Sequence, residues 1–168
     1  TEFISEPGRV TSGKVLNVIA SNTNFFLGGS ADLSSSTKTY LLNEKDFSST
    51  DYSGKNLNFG VREHAMGAIL NGLALSNLRV FGSTFLVFSD YMKPSIRMAA
   101  MMKLPVIYIF THDSITVGED GPTHEPIEQL AMLRSIPNLD VYRPADSKEV
   151  LGSYIEALKK KDGPSEIV

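Results

Sequence analysis

The run Leu104-Pro105-Val106-Ile107-Tyr108-Ile109-Phe110 is apolar at successive positions, so a strand through it must hide both of its faces. Two-faced burial belongs to a parallel sheet covered by helices on either side, and the rest of the chain supplies those helices. Residues 10–20 carry apolar side chains at helical spacing, and Phe25-Phe26-Leu27 before Gly28-Gly29 reads as a short buried strand. A strand at 57–59, a helix at 62–77, a strand at 79–81 and a helix from 91 to 103 follow. Beyond the strand at 106–110 come a loop, a helix at 127–134, a strand at 140–142 and a helix at 147–160. The alternation predicts an α/β fold, a mostly parallel β-sheet sandwiched by helices. Residues 33–56 are polar, and a structureless stretch of that length inside a compact domain is functional or mobile. With no internal repeat and no linker, residues 1–168 read as a single domain.

Charge and composition remove several function classes. The balance of 16 basic against 19 acidic residues, with no basic cluster beyond Lys159-Lys160-Lys161, leaves no electrostatic footprint for nucleic acid or an anionic membrane. The absence of cysteine excludes disulfides and thiolate metal sites. No apolar stretch approaches the roughly 20 residues of a membrane span. The expectation is a soluble, cytoplasmic protein. Because the sequence begins without Met and stops at Ser165-Glu166-Ile167-Val168 as an apolar run is starting, it also reads as a piece of a longer polypeptide.

Chemistry concentrates in Gly118-Glu119-Asp120-Gly121-Pro122-Thr123-His124-Glu125-Pro126, where two glycines, two prolines, three carboxylates and an imidazole preclude helix or strand. Glycine supplies backbone angles other residues resist and proline stiffens the chain around it, so Asp120 and His124 sit on a fixed mount. His112 lies at the carboxyl end of the 106–110 strand, where open α/β sheets bind ligands. A metal site is not expected: helical metal sites space their ligands three or four apart, whereas His112 and His124 are twelve apart with Pro and Gly between. Together with Asp120 they form a polar rim suited to gripping hydroxyls or a carbonyl; each histidine alone could simply bond to backbone.

Glu63, in Gly60-Val61-Arg62-Glu63-His64-Ala65-Met66-Gly67, begins a helix directly after a strand end. It could merely complement the helix dipole. Small residues on more than one side of that helix point to close packing against it, and a covered Glu63 would have its pKa raised by desolvation, keeping a proton available for a bound heterocycle. Phe85, Phe88 and Tyr91 recur at intervals of three, which puts their rings on one side of a helix. Two readings stay open, core stripe or the wall on which a flat ring stacks. Gly28-Gly29-Ser30-Ala31-Asp32 resembles a phosphate turn but lacks the Walker lysine and the Rossmann spacing.

Taken together, Gly28-Gly29-Ser30-Ala31-Asp32-Leu33, Gly60-Val61-Arg62-Glu63-His64, Ser83-Thr84-Phe85-Leu86-Val87-Phe88, Thr111-His112-Asp113-Ser114-Ile115 and Gly118-Glu119-Asp120-Gly121-Pro122-Thr123-His124 resemble the transketolases in order and spacing. The resemblance runs from about Arg9 to the end and covers the domain that binds the aminopyrimidine ring of thiamine diphosphate. Dihydroxyacetone synthase shares much of it and deoxyxylulose-phosphate synthase shares the Asp-Gly-Pro-Thr-His element; the Thr-His-Asp-Ser-Ile stretch with Gly-Glu-Asp before Gly-Pro favours transketolase.

The resemblance implies roles by position. Glu63 is similar to the glutamate that hydrogen-bonds the pyrimidine nitrogen and so promotes loss of the thiazolium proton. Phe85 would stack on the pyrimidine, with Phe88 and Tyr91 completing an apolar cradle and Asp32 close to the cofactor. His112, Asp120 and His124 would line the sugar channel, the histidines near the reacting oxygens. Arg9 and Ser36 match positions that hold the phosphate of phosphosugar substrates, arginine being suited to bidentate contact. The resemblance further implies a homodimer with its site at the subunit interface. The Mg2+- and diphosphate-binding elements belong to a domain with no match here, and the chain ends before the family's C-terminal domain. The isolated chain is therefore expected to be inactive; the alternative is a non-catalytic dimerisation module.

Overall fold

The structure, a computed structural model, describes residues 6–168. Strands β1 (Phe26–Ser30), β2 (Asn56–Asn58), β3 (Arg79–Phe85), β4 (Ile107–Thr111), β5 (Asp140–Tyr142) and β6 (Ser165–Ile167) form one sheet in the order β2-β1-β3-β4-β6-β5. All of its pairings are parallel. Helices α1 (Gly8–Asn22) and α6 (Ser147–Lys159) cover one face; α3 (Glu63–Leu75), α4 (Ser89–Met101) and α5 (Gln129–Arg134) cover the other. Among the described residues no helix is long and apolar enough to cross a membrane.

β4 lies at the centre of this arrangement, and each of its residues is buried. Ile107 and Ile109 face Leu16, Val150 and Tyr154 of α1 and α6, while Tyr108 and Phe110 face Met92, Ile96 and Leu133 of α4 and α5. Alternation across a strand thus turns one continuous apolar run into two cores. Full burial of each such side chain is worth about 1.5–3 kcal/mol. Local signals set the helix ends. At α6, Asp146 accepts from the backbone N–H groups of Lys148 and Glu149, and Glu149 reaches back to the N–H of Ala145, a reciprocal cap.

Three features differ from the sequence reading. The strand expected at 79–81 continues to Phe85 as β3, because the small residues Gly82, Ser83 and Thr84 are fully enclosed. Ser83 serves as the hub of a buried hydroxyl cluster, 2.6 Å from Thr39 and 3.2 Å from Thr37. Residues 33–56 are not structureless: α2 (Ser34–Thr37) opens the segment, Leu41 is fully buried, and the Asn56 amide bonds the backbone of Leu41 and Glu44. The apolar run at the end of the chain is β6, inserted between β4 and β5; only three residues long and carrying Glu166, it has little strand signature of its own.

Gly28 and Gly29 belong to β1, not to a phosphate turn. The N–H of Gly28 donates to Lys55 and that of Ala31 to Ser83, leaving these donors spent in the sheet. A Cβ on either glycine would strike a neighbouring strand's carbonyl, Phe81 or Leu57. The residues therefore allow strands to approach closely.

Because every strand runs the same way, the segments after β1, β2, β3 and β4 emerge along one edge. The connection from β1 leads outward to β2 and that from β3 leads outward on the other side to β4, which opens a crevice between their carboxyl ends.

Candidate active site

The residues of interest lie along that carboxyl edge. Glu63 is the first residue of α3, and Phe85 is the last of β3. Phe88 ends a short 3-10 turn and Tyr91 lies in the first turn of α4. His112 follows the last residue of β4, and Asp120 and His124 lie in the loop beyond it. Arg9 lies in the first turn of α1, Asp32 lies two residues beyond β1 and Ser36 sits in α2.

The aromatic residues are in register although no single helix carries them. Phe85 and Phe88 lie parallel with centroids 6.0 Å apart, and Phe88 and Tyr91 follow at 6.2 Å. Phe85 is buried at one end of the row, Phe88 is half-buried, and Tyr91 is 64% exposed at the other. His112 stacks on Phe85 with centroids 3.7 Å apart, and His124 presents its edge to both Phe85 and Phe88. The two histidines therefore meet at the buried end of the aromatic row.

His112 is held on three sides. Its φ of 56° lies in the left-handed region, which costs a non-glycine residue about 1–2 kcal/mol. The Arg9 guanidinium lies 3.1 Å from Nε2, and the Thr111 hydroxyl lies 2.9 Å from Nδ1. Since a guanidinium has only donors, Nε2 accepts from it and Nδ1 carries the proton, donating to Thr111. Burial is the main cause that holds the His112 pKa below its ordinary value, followed by the charge of Arg9; Asp120 and Asp113 act in the opposite sense.

The loop carrying Asp120 and His124 is built of successive turns. Gly118 and Gly121 take φ values of 88° and 77°, and the N–H of His124 returns to the carbonyl of Gly121 at 3.0 Å. Its exit is anchored by Gln129, whose amide donates to both carboxylate oxygens of Asp90 beside the aromatic row, at 3.0 and 3.1 Å. Its entry is tied by Asp113, which accepts from Arg143 after β5 at 3.0 Å. Gln129 was not singled out by the sequence, and Thr111 and Asp113 entered only as parts of the Thr111–Ile115 motif, with no role of their own, because the partners of the two anchors are distant along the chain.

Glu63 reaches the same neighbourhood through helix packing. At Gly67 α3 touches α4, where an added Cβ would meet Ser95 and Met92. One turn closer to the sheet edge, α3 carries Glu63 and α4 carries Tyr91, with Phe88 just before its first residue. The half-buried Glu63 carboxylate makes no hydrogen bond or ion pair among the described residues. Asp32, exposed with φ 63°, and the half-buried Ser36 share the edge without hydrogen bonding to the histidine cluster.

A cleft of about 730 Å³ adjoins Arg9 and His112. It runs between the first turns of α1 and α6 and the ends of β4 and β6, with Ser12, Ser147, Val150 and Ile167 among its walls. The arrangement offers an unpaired carboxylate near an aromatic platform, two imidazoles at its inner end, and a guanidinium facing an open cleft. Such a set can bind a flat heterocycle and a polyhydroxylated, anionic substrate side by side.

Comparison with known proteins gives the arrangement a family. The family model described as "Transketolase, pyrimidine binding domain" matches residues 8–168. A transketolase of Bacillus subtilis is 60% identical over 161 residues, covering 95% of this chain and 24% of that protein. The transketolase structure from Campylobacter jejuni superposes with a TM-score of 0.91 at 51% identity, covering 96% of this chain and 25% of that one. A Pichia stipitis transketolase in complex with sedoheptulose-7-phosphate superposes at 0.93 with 41% identity, covering 97% of this chain and 26% of that one. The chain thus spans 24% of the length of the Bacillus relative. With the family match reaching from Gly8 to the last residue, the chain belongs to the transketolase pyrimidine-binding domain family.

Proposed function

We propose that this chain is the pyrimidine-binding part of an enzyme that moves a two-carbon ketol unit from a ketose phosphate to an aldose phosphate with thiamine diphosphate. The observation that carries the reading is the Gly67 contact between α3 and α4, which lies one turn from an unpaired Glu63 on one helix and one turn from Tyr91, the open end of the aromatic row, on the other. Those residues fit an aminopyrimidine: a carboxyl group to bond a ring nitrogen, and ring faces to stack on. Thiamine diphosphate, when bound, supplies the carbanion chemistry.

Each residue then has a task. Glu63 exchanges a proton with the pyrimidine ring. Phe88 and Tyr91 offer the accessible faces for stacking, and Phe85, already covered by His112, braces the inner end. His112 and His124 hold or move a proton at the sugar's reacting oxygens, and Asp120 reads its hydroxyls. Arg9 and Ser36 hold its phosphate, and Asp32 stands by the cofactor. Mg2+ and diphosphate would be bound by a separate domain, because no residues here match that role.

The partner is a second subunit whose diphosphate-binding domain covers Glu63 and Tyr91. Ile69, Leu75, Met98 and Met101 are exposed on α3 and α4, and a Cβ at Gly72 would meet nothing. An apolar face with a bare backbone suits close helix contact. A purely dimerising module would use the same face but would not need an aromatic row beside an unpaired carboxylate.

The test is a chimera in which residues 8–168 replace the matching segment of the Bacillus subtilis enzyme. Ketol transfer by the chimera, lost on Phe88→Ala with Tyr91→Ala, is the expected result. A folded, dimeric chimera that binds no thiamine diphosphate would reject the reading.

A further inference from the structure

Among the described residues, Arg9 gives its side-chain hydrogen bond to an unusual partner, the lone pair of a neutral imidazole. A guanidinium is built to bind anions through its fork, two parallel charge-assisted bonds to one oxyanion that a single imidazole nitrogen cannot offer. Its Nε–H is buried and has no partner among the described residues, and the group borders the cleft of about 730 Å³. The guanidinium is thus engaged by a weak acceptor while standing beside room for a strong one.

We infer that a phosphate oxyanion arriving at Arg9 draws the guanidinium away from Nε2 of His112, so that occupancy of the phosphate site sets the proton state of the histidine. The inference rests on the reading of Arg9 as the phosphate holder and adds a coupling to it. While Arg9 donates to Nε2, that nitrogen cannot take a proton, and the imidazole stays neutral with its proton on Nδ1 toward Thr111. Once the guanidinium pairs with a dianion, Nε2 is free and the nearby positive charge is compensated.

The charged groups facing His112 fix the direction. Arg9 comes from α1; Asp113, Asp120 and His124 come from its own loop; β3 contributes only the Phe85 ring. Burial and Arg9 depress the pKa, and Asp120 and Asp113 raise it. Freeing Nε2 from Arg9 and bringing in an anion removes the second of the depressing causes and adds negative charge to that of Asp120 and Asp113, so against an unchanged burial His112 takes up a proton more readily when phosphate binds. A substrate lacking phosphate would meet a neutral histidine. One carrying phosphate would create its own proton donor beside the reacting oxygens, and by linkage the phosphate would bind more tightly as the pH falls.

Long-range 1H–15N NMR of the labelled 168-residue chain tests this directly. The free chain should show His112 in the Nδ1-H form, and inorganic phosphate or sulfate should raise its titration midpoint by about one pH unit. Sulfate, which does not titrate in this range, separates charge from phosphate's own protons. Arg9→Met should raise the midpoint without any anion and abolish the anion response; amide dispersion in the same labelled sample reports whether the fold is kept. Ribose 5-phosphate should match inorganic phosphate, which assigns the effect to the oxyanion. An Nε2-H tautomer in the free chain, or a His112 midpoint indifferent to saturating phosphate, overturns the coupling while leaving the Glu63 reading intact. A response to the sugar phosphate but not to the inorganic ions overturns it as well.

Discussion

Gly67 of α3 presses directly against Ser95 of α4: a Cβ on Gly67 would stand 2.8 Å from the Ser95 Cβ and nearer still to its hydroxyl. The contact sits one turn below Glu63 on one helix and one turn below Tyr91 on the other. The spacing of the proposed pyrimidine site is therefore decided by a residue with no side chain.

Gly67→Ala should force α3 and α4 apart and destabilise the chain by about 1–3 kcal/mol, the usual cost of overpacking. Urea denaturation of both proteins measures it. An unchanged midpoint would mean that the helices can separate freely and that the close approach does not define the site.

Arg79 should be worth about 1–3 kcal/mol through its charged hydrogen bonds. It reaches from the start of β3 to the carbonyls of Ala157 and Lys160, where α6 ends. Burial lowers its pKa to about 10, so it stays charged at neutral pH. Arg79→Met keeps the stem and strips the donors from a helix terminus; the loss should appear as fraying of α6 in amide exchange before global unfolding.

Glu166 should make the chain lose stability as the pH rises. Its side chain is fully buried, at the position paired with Tyr108, and among the described residues neither of its oxygens nor the buried Tyr108 hydroxyl has a hydrogen-bond partner. Burial pushes its pKa from 4.5 up to about 8, against the opposing charge of Arg134. Between those values the native chain holds a proton that the unfolded chain releases. The contribution is therefore complete below about pH 4.5 and is lost up to about pH 8, by an amount of order several kcal/mol. The difference between wild type and Glu166→Gln, followed by denaturation at about pH 5 and about pH 8, isolates this carboxyl from His112, whose depressed pKa acts in the opposite direction.

The isolated chain should show no ketol transfer and should self-associate through the outer face of α3. Ile69→Glu, which charges an exposed apolar position without touching the core, should shift sedimentation toward the monomer. Persistent association of that variant would move the interface elsewhere.

Sequence periodicity reached the architecture because both cores rest on one apolar strand, β4, whose two-faced burial needs helices on both sides. It also reached His112, since a residue after a buried parallel strand can only stand at the carboxyl edge. It failed where polar residues are buried by partners far along the chain. The strand at 79–81 reads as ending before Ser83 until Thr37 and Thr39 are seen around it, and residues 33–56 read as a loop until the Asn56 amide is seen pinning Leu41. The aromatic triplet was legible by interval but not by conformation: the rings align across a strand end, a 3-10 turn and a helix start. The contact between Arg9 and His112 spans 103 positions, a distance over which spacing carries no signal.

The central claim is that Glu63 serves a pyrimidine ring, and exchange of the thiazolium proton of bound thiamine diphosphate measures that role most directly. In the Bacillus subtilis chimera, Glu63→Gln keeps the side chain's size and hydrogen bonding while removing its exchangeable acid. The account predicts that exchange slows by about 10²–10⁴-fold with the cofactor still bound. Exchange at the unaltered rate in a folded, cofactor-loaded Glu63→Gln chimera would contradict it.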